Sequence, residues 1–267
     1  MAISKVSGVL WANVAKYGGV SKANIANLGG QSAPSSGGGP AWSSTLYQFE
    51  DQSRSTSTSL ASYWSPNNTH SDWVNGWDAI NSSHTYSLVG TTYKAWGKSS
   101  RPATGWNCDD DGTGSGSTGP NGGVVIPGGT HSTSTSTDMY LYTEVSSQGR
   151  YYTFVVRTPG FNFSTLMGDT SRNLDLKFWV HAYGSQMGDL FTYIDEASTS
   201  SHTDATALTS YTSFSGFTSN SSVWQQKTIS LNNYRTVNSN HYIYFAAEGF
   251  GGFRGDMAID GIQIVES

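Results

Sequence analysis

Apolar and polar positions alternate with a period of two through most of the second half of the chain. The pattern is clear over residues 139–145, 151–157, 174–183, 190–194, 224–231, 242–247 and 257–265. Each run puts large apolar side chains two apart and ends beside glycine, asparagine, aspartate or serine, as half-buried β-strands do. No stretch shows the competing 3.6-residue period of an amphipathic helix. The alternation therefore predicts an all-β fold, an antiparallel β-sandwich or jelly roll, with its main domain over residues 42–267.

The first thirty residues follow a different rule and repeat with a period of eleven. Gly8 to Gly18 aligns with Gly19 to Gly29, matching Ala12 with Ala23, Asn13 with Asn24, Val14 with Ile25 and Tyr17 with Leu28. Units this short bury their apolar faces only by stacking on something else. The spacing predicts short strands turning at Ser7-Gly8, Gly18-Gly19 and Gly29-Gly30, where glycine supplies a positive φ. Residues 1–30 are thus expected to be a docking arm presenting Val9, Trp11, Val14, Tyr17, Val20, Ile25 and Leu28, or else a small β-element packed on the main domain. Residues 31–41, rich in Gly, Ser and Pro, read as a linker.

Composition narrows the function classes. Charged residues make up only 12% and aromatics 13%, with 31 glycines, a balance of turn-rich β-proteins. A net charge of -5 with no basic cluster argues against nucleic acid. Cys108 is the one cysteine, so no intrachain disulfide can staple the fold. No run approaches the roughly 18 apolar residues of a membrane span, so membrane insertion is not expected. Met1 to Val6 lacks the apolar run of about 7–15 residues typical of a secretory leader. The expectation is a protein made in a host cytoplasm and carried on the surface of a virion.

Several motifs fall in one order along the chain. Phe49-Glu50 opens the main domain. Trp106 is followed by the Gly112 to Pro120 loop, and then by Tyr140-Leu141-Tyr142-Thr143-Glu144. Next come the Leu176 to Gly184 strand, carrying Phe178-Trp179-Val180-His181, with Met187-Gly188, and the Trp224 to Leu231 strand. Gly255-Asp256-Met257-Ala258-Ile259-Asp260-Gly261-Ile262 closes the series. This order resembles the MAM domain, an extracellular adhesion module with a jelly-roll fold. The resemblance implies binding and assembly, not catalysis. Two departures stand out. The cysteine pairs of animal MAM domains are missing, and residues of about 53–102 form a longer, aromatic-rich insertion, so either Trp73 or Trp106 could be the family tryptophan. The N-terminal repeat is similar to those of structural proteins from tailed phages of marine bacteria, which implies capsid or tail partners and self-association.

Candidate chemistry is sparse. A jelly roll can lay its first and last strands side by side, which would bring Glu50 to Asp260; the resemblance implies a structural cation there, and calcium takes oxygen ligands of this kind. The alternative is that both carboxylates cap turns. Trp64, Trp73, Trp77 and Trp96 lie in the insertion among Asn, Ser and Asp, a setting suited to stacking on the sugar rings of a host-surface glycan, or equally to a local aromatic core. Asp109-Asp110-Asp111-Gly112 lacks the spacing of a calcium loop. Arg254-Gly255-Asp256 sits where the family pattern itself places Gly-Asp, and Cys108 and His181 read as buried structural residues. Glu144, Asp195 and Glu196 show no pairing that would serve glycoside hydrolysis.

Overall fold

The structure is a computed structural model. It describes residues 41–49, 71–75, 105–109, 120, 139–145, 152–167, 169, 171–196, 206–211, 217, 224–249 and 254–267, with short strand pairs between 5 and 32 and between 86 and 93.

The repeat forms three hairpins. β1 (Lys5–Val6) pairs with β2 (Val9–Leu10), β3 (Lys16–Tyr17) with β4 (Val20–Ser21), and β5 (Asn27–Leu28) with β6 (Gln31–Ser32). Two residues separate the strands of each pair, Ser7-Gly8, Gly18-Gly19 and Gly29-Gly30 in turn, as the glycine pattern predicts. Each pair is a separate two-stranded sheet. The third hairpin runs on into Gln31–Ser32, the start of the stretch that composition assigns to the linker.

Twelve further strands follow: β7 (Val74–Asn75), β8 (Tyr86–Leu88), β9 (Thr91–Tyr93), β10 (Asn107–Asp109), β11 (Tyr140–Tyr142), β12 (Tyr152–Arg157), β13 (Leu174–Ala182), β14 (Leu190–Asp195), β15 (Thr206–Tyr211), β16 (Gln225–Ser230), β17 (Tyr242–Gly249) and β18 (Met257–Glu266). The one described helix is a single turn, α1 (Phe163–Leu166). β8 and β9 form a hairpin of their own; the others build two five-stranded antiparallel sheets. The first has the order β10-β11-β18-β13-β16 and the second β15-β14-β17-β12-β7. From β12 onward the chain changes sheet at almost every step, the connectivity of a jelly-roll sandwich.

Alternation makes the core. Leu174, Leu176, Phe178 and Val180 of β13 are fully buried, while Asp175, Lys177 and Trp179 between them are only half-buried. Their counterparts across the sandwich are Ile243, Phe245 and Ala247 of β17 and Phe154 and Val156 of β12. Phe178 meets Phe245 edge-on with ring centres 5.1 Å apart, which joins the two sheets at mid-core. Trp106, Cys108 and Leu141 extend the same cluster, so Cys108 is a buried apolar residue.

One bulge interrupts the register. β13 pairs Lys177 with Gln263 but Trp179 with Asp260, so β18 carries an extra residue opposite Phe178. Gly261 takes φ 55 there, a left-handed conformation that glycine adopts without steric cost. The bulge carries the inward phase from Ile259 on to Ile262 and Ile264, all fully buried.

Candidate ligand-binding surfaces

The opening segment runs beside the closing strand. Tyr47 and Ile262 exchange backbone hydrogen bonds of 2.9 and 3.0 Å, and Ser44 N–H donates to the Ile264 carbonyl at 2.8 Å. Glu266 fastens this seam. Its Oε2 accepts from Trp42 N–H at 2.6 Å, its Oε1 accepts from Asp169 N–H at 2.9 Å, and Arg172 Nη1 stands 3.6 Å from Oε1. The two ends of the sandwich are thereby tied together.

Asp260 lies on this seam and is fully buried. Continuing the Tyr47–Ile262 register places Phe49 opposite Asp260. Phe49 has φ 63 and Gly261 φ 55, so two left-handed residues flank the carboxylate. Asp260 Oδ1 accepts from Gly261 N–H at 2.6 Å, a bond that fixes the bulge. The opening segment of the sandwich is therefore a neighbour of β18, while Glu50 lies outside the described residues. A buried carboxylate is the oxygen donor a hard cation takes. Among the described residues, however, no three His, Cys, Asp or Glu side chains gather to hold a metal.

Of the four insertion tryptophans, Trp64, Trp77 and Trp96 lie outside the described residues. Trp73 is 3% exposed and belongs to the main core. Tyr47 and Phe49 meet it edge-on, at 5.0 and 5.5 Å between ring centres. Its ring faces are spent on the interior, which corrects the expectation of a sugar-stacking role there. Trp106 is buried too, and the Asn75 amide brackets it: Nδ2 donates to Trp106 O at 2.8 Å and Oδ1 accepts from Trp106 N–H at 2.9 Å. Both candidate family tryptophans are thus core residues.

Most of the other motif residues are buried. Asp256 Oδ1 accepts from Val145 N–H at 2.8 Å, so the Gly-Asp pair ties two segments together while Arg254 is exposed. His181 is buried, 5.1 Å from Phe217 and 5.7 Å from Trp224 between ring centres. Glu144 and Asp195 are buried, and Glu196 is exposed 3.6 Å from His241 Nε2.

The two outward faces differ. On the second sheet, Val155, Phe191, Tyr193, Tyr244 and Ala246 point away from the core yet are buried. Arg157 lies on the same face, its guanidinium 4.8 Å from the Tyr242 ring centre. Burial pushes the Tyr244 phenol well above its ordinary value, and burial likewise lowers the Arg157 guanidinium. On the first sheet, Tyr140, Tyr142, Trp224 and Ala258 form a second buried cluster against which Trp179 packs. Beyond Trp179 the face opens. Gln226, Thr228 and Ser230 of β16 are exposed, and Asp175, Lys177, Gln263 and Val265 are half-exposed. The sequence signal for this surface is Trp179 itself, a large aromatic in the polar phase of an alternating strand.

The profile of the MAM domain (meprin/A5/mu) matches residues 92–267. The chain belongs to the MAM domain family. Solved structures of similar shape include the K1 cleaved adhesin domain of Lys-gingipain from Porphyromonas gingivalis W83, at 15% identity and a TM-score of 0.43, covering 85% of this MAM chain and 98% of that one. A Stig cyclase from Fischerella sp. TAU aligns at 11% identity and 0.41, covering 85% and 98%. The module CBM27-1 of Caldicellulosiruptor saccharolyticus, solved with mannohexaose, aligns at 12% identity and 0.37, covering 64% and 87%. Likeness of shape does not carry an activity between chains. The function of this MAM protein has to be argued from its own surfaces.

Proposed function

We propose that this protein is a non-catalytic adhesion and recognition component of a tailed-phage particle, with residues 1–30 docking on capsid or tail and the sandwich exposed for contacts with a host-surface glycan or a neighbouring subunit. The observation that supports this reading is the division of the chain into two kinds of structure. Three separate hairpins repeat every eleven residues, ahead of a sandwich whose ends are closed by Glu266 on Trp42. Isolated two-stranded hairpins are marginal in water and need a partner to pack on. The sandwich has a core of its own. Arm and module thus have separable roles, one for assembly and one for recognition.

Mass spectrometry of purified particles tests the reading, with the chain expected in the particle and its absence overturning the assignment. Deleting residues 1–30 is expected to abolish incorporation while leaving glycan binding intact. The alternative, a secreted bacterial carbohydrate-binding module, is favoured by the hydroxyl- and amide-rich outer face of the first sheet; recovery of the chain in culture medium without particles would establish it. Within the same proposal, Glu50 and Asp260 hold a structural Ca2+. A rise in melting temperature when calcium is returned to chelator-treated protein is expected, and no change at millimolar calcium would dismiss the ion.

A further inference from the structure

We propose that the outer face of β16, β13 and β18, centred on Trp179 and Lys177, is the platform that binds a neutral oligosaccharide. The proposal rests on the glycan-recognition reading above and gives it a location.

The sheet register sets out the platform. On β13 the outward residues are Trp179, Lys177 and Asp175. Gln226, Thr228 and Ser230 stand directly opposite them on β16. On the other side, β18 pairs Asp260 with Trp179, Gln263 with Lys177 and Val265 with Asp175. At about 3.4 Å per residue and 4.8 Å between strands, the surface measures roughly 14 Å by 10 Å. That suits a short run of sugar rings lying flat.

Among the described strand residues, the exposed ones are Gln226, Thr228 and Ser230, all on this face. On the second sheet the described outward residues Val155, Phe191, Tyr193, Tyr244 and Ala246 are buried, the aromatic ones included. Trp179 is half-buried because it packs against the Tyr140, Tyr142, Trp224 and Ala258 cluster. A ring held that way loses little freedom when a ligand stacks on it, which favours binding.

The chemistry selects the occupant. An indole offers a flat apolar surface to the C–H side of a sugar ring. Around it stand two amides, two hydroxyls, one ammonium and one carboxylate, which together donate to and accept from ring hydroxyls. Lys177 offsets Asp175, and the buried Asp260 beside Trp179 adds a further carboxylate, so the platform has no excess positive charge to attract an acidic sugar. A protein partner would be expected to need a wider apolar centre than one tryptophan and Val265 provide.

The test is calorimetric titration of the full chain with a panel of neutral and acidic oligosaccharides, alongside Trp179→Ala, Thr228→Arg and Gln226→Ala. Thr228→Arg alters an exposed position and keeps the test valid should Trp179→Ala weaken the fold. A neutral oligosaccharide is expected to bind, with a loss of about tenfold or more for Trp179→Ala and Thr228→Arg, and a smaller loss for Gln226→Ala. Binding unchanged in Trp179→Ala and Thr228→Arg overturns the platform but leaves glycan recognition standing. Failure of every sugar to bind overturns both. Binding of acidic sugars alone, or a dimer that Trp179→Ala dissociates, assigns the face another occupant and also overturns the proposal.

Discussion

Replacing Trp73 by alanine separates an interior ring from a ligand-stacking one. Trp73 is 3% exposed and wedged between Tyr47 and Phe49. A buried tryptophan hides about 200 Å², worth about 5 kcal/mol at 25 cal/mol/Å². Burial already present in the unfolded chain takes off about 10–40%. The retained Cβ offsets part of the lost edge-to-face pairing, so the expected loss is about 4 kcal/mol, within the range for large-to-small core changes. Urea unfolding followed by circular dichroism would register it. With a slope of about 3 kcal/mol/M, the midpoint should fall by roughly 1.3 M at unchanged slope. A surface tryptophan would cost no more than about 0.5 kcal/mol. Stability within about 1 kcal/mol of the parent, combined with lost glycan binding, would refute the interior placement.

Three other perturbations probe the seam and the bulge. Glu266→Ala strips the shared carboxylate from Trp42 N–H, Asp169 N–H and Arg172 and is expected to cost about 2–3 kcal/mol in the same assay; a loss under 0.5 kcal/mol would mean the seam is not closed by this residue. Gly261→Ala puts a Cβ at φ 55 and should destabilise by about 1–2 kcal/mol, seen as a melting temperature several degrees lower, with Gly261→Val worse. Asp169 accepts from the Ser171 hydroxyl and backbone N–H and sits beside Arg172, which holds its carboxyl below the ordinary 3.8. A depressed acid contributes stability that is present above the unfolded value and lost as pH falls through the folded one. In urea unfolding repeated across acid pH, Asp169→Asn should therefore lose that contribution at neutral pH, match the parent at the acid limit, and so show a flatter acid side of the profile; an unchanged neutral-pH stability with the parent's acid slope would contradict it.

Period-two alternation located β12, β13, β14, β16, β17 and β18, because each has one face on the core and one turned outward. β15 escaped it: Thr-Ala-Leu-Thr-Ser-Tyr sits at a sheet edge in a Ser/Thr-rich stretch and offers little apolar contrast. β10 escaped for another reason, since three residues are too few for a period to show. A glycine at each repeat junction, single at Ser7-Gly8 and paired at the other two, placed the three hairpins. That the opening segment of the main domain runs beside the last strand followed from the jelly-roll resemblance. The bulge at Gly261 did not, because it depends on pairing with Phe178. Aromatic content alone could not separate Trp73, which serves the core, from Trp179, which faces outward. Spacing within an alternating strand separates them, since Trp179 shares the phase of Asp175 and Lys177.

The proposed function of this MAM domain turns on glycan recognition at the Trp179 face. Indole N–H resonances of the labelled full chain, followed by NMR during titration with the oligosaccharide that binds best, test it most directly. The Trp179 signal is expected to shift to saturation while those of Trp73 and Trp106 stay in place. A stationary Trp179 signal at saturation, with another tryptophan moving instead, would contradict it.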